Sequence, residues 1–156
     1  SDLAGLTYDP GLVLPGNHRE DDGHRAATRL LTLPEHRRPT ALFVGNNEMT
    51  VGAVLAARAL NLRIPGDLSI VGFDDSRWAQ TMNPPLTVVA QPTYDLGLQA
   101  AEQLIHQLRH PRDGPPLHIQ LSTTLIVRHS TSPPLTPAPH PQPSAAPTSE
   151  EPPCVK

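Results

Sequence analysis

Two hydrophobic rhythms alternate along the first 131 residues. Short apolar runs without alternation are followed by longer stretches in which apolar residues recur every three or four positions. Gly11-Leu12-Val13-Leu14-Pro15 predicts a short strand. After the polar "GNHREDD", the spacing of Ala26, Ala27, Leu30 and Leu31 marks one face of a helix that Pro34 ends. Ala41-Leu42-Phe43-Val44 is apolar throughout, the pattern of a strand covered on both faces in a parallel sheet. A helix from about Glu48 to Asn61 follows, apolar nearly all round and closed by "IPGD". "LSIVGF" (68–73) and "LTVVAQ" (86–91) predict two more buried strands. The helix starting near Thr93 carries Gly97, Ala100, Ala101, Leu104, Ile105 and Leu108 on one stripe, with Gln99, Glu102, Gln103 and His106 on a wet face. "LHIQL" and "TLIVRHS" predict two final short strands. Strands alternating with helices in this way predict an α/β sheet with helices on both faces.

Polar residues gather where these strands end. Asn46 and Asn47 follow the run at 41–44, Asp74 and Asp75 follow "IVGF", and Gln91 closes "TVVAQ". In open α/β sheets the carboxyl ends of the strands converge on the crevice where ligands bind. Amides and carboxylates there suit a polyhydroxylated small molecule, because each fixed oxygen or N–H can pair with a hydroxyl. Asparagine and aspartate are also favoured helix caps, which supplies a purely structural reason for each of them taken singly. Both roles fit if Asn47 caps the following helix while Asn46 faces the crevice, and if Asp75 caps the turn at "SRWAQ" while Asp74 faces the ligand.

Composition narrows the class. The formal charge of −3 leaves no basic footprint for holding nucleic acid. Nine of the 20 prolines fall between Pro133 and Pro153, so residues 132–156 are expected to be a disordered tail beyond a core spanning 1–131. The single cysteine, Cys154, lies in that tail and offers neither a disulfide framework nor a zinc-type pair. No stretch approaches about 18 continuous apolar residues, and the start lacks the layout of a signal peptide. A cytoplasmic protein with no membrane partner is the expectation.

At this point the chain resembles the effector-binding core of bacterial transcriptional repressors of the lac and galactose repressor family (LacI/GalR), a core with the fold of periplasmic sugar-binding proteins. The resemblance runs from about Ala4 to Thr131 and rests on "RPTALFVGNNEMTVGAVLAARALNLRIPGDLSIVGFDDS", "NPPLTVVAQPTYDLGLQAAEQLI" and "LIVRHST". It implies effector contacts from Asn46, Asp74 and Gln91, and from His18, which stands where the family often packs an aromatic ring on a sugar. The family usually has aspartate where this chain has Asn47. The resemblance also implies that this is the carboxyl-terminal part of a core: the first lobe is largely missing, and a helix-turn-helix that reads DNA lies outside the chain.

Other classes fit less well. Asp74 and Asp75 are adjacent and point to opposite sides of an extended segment, a poor acid/base pair, and no nucleophile elbow, phosphate loop or dinucleotide motif is present. The chain is not expected to be an enzyme or to carry a cofactor. His106 and His110 are four apart on a helix but lack an evident third ligand, so no metal site is expected. A sugar-binding protein of a transporter shares the fold and is the alternative. The helix at 48–61 is apolar on more sides than one sheet can cover. Together with "SRWAQTM" it predicts a homodimer face of Val51, Val54, Leu55, Trp78 and Met82, the surface to which the repressor resemblance also points.

Overall fold

The computed structural model describes residues 9–110 and 117–133; the proline-rich segment from 134 onward and residues 1–8 lie outside the described residues. The expected strand at Gly11–Pro15 is instead a 3-10 turn, Pro10–Leu12, followed by extended chain without a ladder partner. Asp9 accepts a hydrogen bond from the Gly11 N–H at 2.8 Å, and Pro10 fixes the first φ of the turn. That local capping outweighs the strand preference of three apolar residues.

Helix α1 (Glu20–Leu31) opens with Glu20, Asp21 and Asp22, whose charges favour the positive end of the helix dipole. It stops where Thr32 turns its hydroxyl back onto the Thr28 carbonyl at 2.8 Å, two residues before Pro34. Strand β1 (Ala41–Phe43) leads into α2 (Asn47–Ala59). Helices α1 and α2 cross with almost no space between them. A Cβ on Gly23 would lie 2.2 Å from the Met49 carbonyl oxygen, and one on Gly52 would lie 2.1 Å from that of Glu20. The two glycines let the backbones touch.

Strands β2 (Ser69–Phe73) and β3 (Thr87–Ala90) pair in parallel, with Val71 opposite Thr87 and Phe73 opposite Val89. Between them runs the short helix α3 (Arg77–Thr81). Strand β1 joins the other edge of β2 in parallel, and β4 (Thr124–Ile126) closes the order β1-β2-β3-β4 as the one antiparallel member. The anticipated strand at "LHIQL" does not form; residues 117–121 have no regular structure. Leu42, Ile70, Gly72 and Val88 share one face of the sheet and are buried with Ala53, Val54, Ala57, Leu68, Ala79 and Leu86 in the core.

The opposite sheet face differs from expectation. Ala41 is exposed and Phe43 is 64% exposed, so β1 is covered on one side only. Its apolar pattern records a burial that no described element supplies. The same holds for α4 (Thr93–Arg109), none of whose residues is fully buried. Its apolar stripe is open to solvent, with Leu108 71% exposed, while Gln99 and Gln103, anticipated on the wet face, are the half-covered ones.

Candidate functional site

Because β1, β2 and β3 run parallel and adjacent, the residues that follow them lie along one edge of the sheet. Asn46 follows β1, Asp74 follows β2 and Gln91 follows β3. Asp74 adopts a left-handed φ of 72°, and its N–H donates to the Val89 carbonyl at 2.9 Å, so the chain turns sharply out of β2 while still tied to β3. The Gln91 side-chain amide donates to Asp74 Oδ1 at 2.6 Å. Both side chains are half-buried. The pair leaves Asp74 Oδ2 as an acceptor and the Gln91 carbonyl as another, a surface suited to donating hydroxyls.

The cap of α2 is not Asn47, as expected, but its neighbour. Asn46 is the cap of α2, its Oδ1 accepting from the Met49 N–H at 3.0 Å, and its backbone carbonyl accepts from the Thr50 hydroxyl at 2.6 Å. The extended φ of −158° at Asn46 is that of a capping residue, whereas Asn47 has already entered the helix. Asn47 accepts instead from the Trp78 indole N–H at 2.9 Å and donates to Glu48 at 3.3 Å. Capping leaves the Asn46 side-chain NH2 available to a ligand. Asp75 is not a cap either. Helix α3 begins after Ser76 with no side-chain cap, and Asp75 pairs with Arg128 at 2.8 Å and accepts from Gln80 at 3.2 Å.

His18 is exposed, with φ of 60°. Its loop is held between α1 and the start of α2, because the Asn17 N–H donates to Asp22 of α1 at 3.2 Å and Gly16 packs against the Met49 side chain of α2. A hollow of about 410 Å³ between Leu12–Leu14, α1 and β1 is lined mainly by apolar side chains and includes none of the four expected effector residues.

Arg128 and Ser130 had no role in the sequence reading. Arg128 donates to the Leu86 carbonyl at 2.9 Å while its N–H meets Thr87 Oγ1 at 3.0 Å. The buried Ser130 hydroxyl accepts from the Thr87 N–H at 2.8 Å and donates to the Ile70 carbonyl at 2.6 Å. These polar residues just after the apolar "LIV" were the available signal, since a buried hydroxyl or guanidinium requires partners.

The residues expected at a self-interface do come together. Val51, Val54, Leu55, Trp78 and Met82, with Arg58 and Thr81, line a groove of about 240 Å³ between α2 and α3. Val54 is only 4% exposed and forms its floor, since it also belongs to the core. The His106 and His110 rings lie 5.0 Å apart, and no group of three or more metal-ligating side chains occurs among the described residues. No described helix is long and apolar enough to cross a membrane.

Residues 4–131 match the periplasmic binding protein-like domain, and the chain belongs to that family. Its place there is that of an effector-binding core of the LacI type. It is 38% identical over 129 residues to the HTH-type transcriptional repressor PurR of Haemophilus influenzae, covering 81% of this chain and 38% of PurR. A LacI-family regulatory protein from Chloroflexus aggregans superposes with a TM-score of 0.70 at 37% identity, covering 83% of this chain and 46% of that one. The transcriptional regulator CelR in complex with cellobiose superposes with a TM-score of 0.72 at 35% identity, covering 82% and 38%. The chain therefore spans less than half the length of these regulators.

Proposed function

We propose that this chain is the carboxyl-terminal sensor part of a LacI-type transcriptional regulator, binding a sugar, nucleoside or similar polar effector through Asn46, Asp74, Gln91 and His18. The observation that carries this reading is the Gln91–Asp74 hydrogen bond at the carboxyl end of the parallel strands, which pre-forms an acceptor pair beside the helix cap at Asn46. The relative solved with cellobiose supports a carbohydrate as the first ligand to try. The protein works by binding, without catalysis, in the cytoplasm. Operator contact belongs to a helix-turn-helix outside this chain, since a segment of charge −3 offers no phosphate-binding stripe. The groove of Val51, Leu55, Trp78 and Met82 is a self-interface, and the core ends near Thr131, with 132–156 acting as a proline-rich spacer. An exported sugar-binding protein has only the fold in its favour, whereas the regulators named above share both fold and sequence.

Calorimetry with cellobiose, ribose and nucleosides on the longer protein that carries this core tests the reading. Asp74→Ala is expected to weaken the effector that binds by about 1 to 3 kcal/mol, because its hydroxyl partner is left unpaired. Unchanged affinity in Asp74→Ala removes that residue from the site.

A further inference from the structure

Helix α4 ends in two imidazoles one helical turn apart. His106 lies in the last turn and His110 is the residue that closes it, its N–H donating to the His106 carbonyl at 2.9 Å. That backbone bond fixes the spacing from which both side chains start. Both residues are exposed, and their ring centroids lie 5.0 Å apart with the planes inclined by 38°. With metal–nitrogen bonds of about 2.0 to 2.1 Å, two imidazoles on one ion hold their centroids about 4.5 to 5.2 Å apart, for bond angles of about 90 to 110°. The pair already stands at that separation. Leu104, Ile105 and Leu108, the residues that require cover, lie on the opposite side of the helix, so the histidine side is the one that suits water.

We infer that His106 and His110 form an exchangeable two-imidazole site for a late first-row divalent metal ion, which clamps the carboxyl end of α4. Imidazole ligands suit copper, nickel and zinc, whereas magnesium and calcium take oxygen. No third metal-ligating side chain joins them among the described residues, so water completes the coordination sphere and the ion exchanges, unlike that of a closed structural zinc site. Each imidazole has two ring nitrogens; a hydrogen-bond partner on one leaves the other to ligate, the usual arrangement of a metal-bound histidine. The ion lies at the negative end of the α4 dipole, where a cation is stabilised. Glu102, one turn before His106 and bonded to Gln99 at 3.1 Å, offsets the like charge of Arg109 in the last turn. The site is independent of the effector crevice, since none of Asn46, Asp74, Gln91 and His18 lies on α4.

The test is a copper(II) titration of the full chain carrying Cys154→Ser, which removes its sole thiol. Copper is the probe because it binds most tightly of the first-row divalent ions to such ligands. One ion per chain is expected, with spin-echo modulation from two imidazoles. His106→Gln and His110→Gln should each weaken binding about tenfold or more, because the chelate becomes a single ligand. His36→Gln and His129→Gln, which alter exposed histidines elsewhere, should bind copper as the parent does. Zinc, which is diamagnetic, then reads the clamp: amide exchange at residues 108–110 is expected to slow with zinc in the parent and to stay unchanged in either single variant. A chain that takes up no copper overturns the inference, as does equal affinity in the parent and both α4 variants. Loss of the ion in His36→Gln or His129→Gln overturns it too, by placing the metal elsewhere. Unslowed exchange at residues 108–110 in a parent saturated with zinc overturns the clamp.

Discussion

Arg128 and Asp75 close the turn that follows β2 onto the end of β4, at 2.8 Å and with both side chains mostly covered. Each partner is further anchored, Arg128 on the Leu86 carbonyl and Asp75 on the Gln80 amide. Replacing Arg128 by methionine keeps much of the stem but strands a half-buried carboxylate. Urea unfolding is expected to show a loss of about 1 to 3 kcal/mol for Arg128→Met. Asp75→Asn should cost less, because its amide oxygen remains an acceptor for the same guanidinium and the Asp74 N–H still ties the turn to the Val89 carbonyl.

The crossing of α1 and α2 admits no added methyl group. In Gly52→Ala the new Cβ would meet the Glu20 carbonyl and the His24 N–H, both backbone atoms that cannot swing aside. The intrinsic gain in helix propensity, about 1 kcal/mol, is expected to be outweighed by strain of about 1 to 3 kcal/mol or more. A lowered thermal midpoint for Gly52→Ala, set beside Gly97→Ala on α4, where a Cβ meets nothing within 4 Å and the midpoint should not fall, checks this.

Arg63 clasps Asp67 with two side-chain hydrogen bonds and one from its own backbone N–H, all at 2.8 Å. The side-chain bond from Arg63, followed by the backbone bond, holds the Asp67 carboxyl well below the usual carboxylate range. A folded value below the unfolded one means that the clasp contributes above the ordinary aspartate pKa, near about 3.9, and is lost as pH falls through the folded value. Carbon-detected titration should find Asp67 still ionised below the ordinary aspartate range, and Arg63→Gln should move its midpoint up toward the ordinary value. The pair is exposed, so its effect belongs in the titration curve and not in global stability.

Val51 and Val54 separate the proposed self-interface from the core. Val51 is half-exposed on the groove, so Val51→Asp should leave the fold intact while placing a like charge near its own copy and abolishing self-association. Val54 is buried against the sheet, and Val54→Asp should unfold the chain instead. Sedimentation and circular dichroism on the two variants check the distinction.

The elements with strong local rules were legible before the structure. The Ala26–Leu31 spacing and Pro34 marked α1, and the apolar runs at 68–73 and 86–91 became the paired central strands. The convergence of Asp74 and Gln91 was legible too, because parallel strands bring their carboxyl ends to one edge. What misled was competition between equally good local partners. Two adjacent asparagines can each cap a helix, and only the Trp78 indole, distant in sequence, decides that Asn47 is otherwise engaged. Asp75 went to Arg128 for the same reason. Periodicity, finally, reports which residues require cover and not whether the cover is at hand, which is why Phe43 and Leu108 read as buried and stand open.

That open stripe on α4 bears on how the protein behaves in a tube. Leu104, Ile105 and Leu108 form an oily ridge on the open side of α4. Such a ridge takes up hydrophobic dyes, sticks to chromatography resins and promotes clumping that has nothing to do with a two-fold axis. Turning Leu104 and Leu108 into glutamates would therefore give a better-behaved parent sample, in which the proposed association through α2 and α3 can be tested without that background.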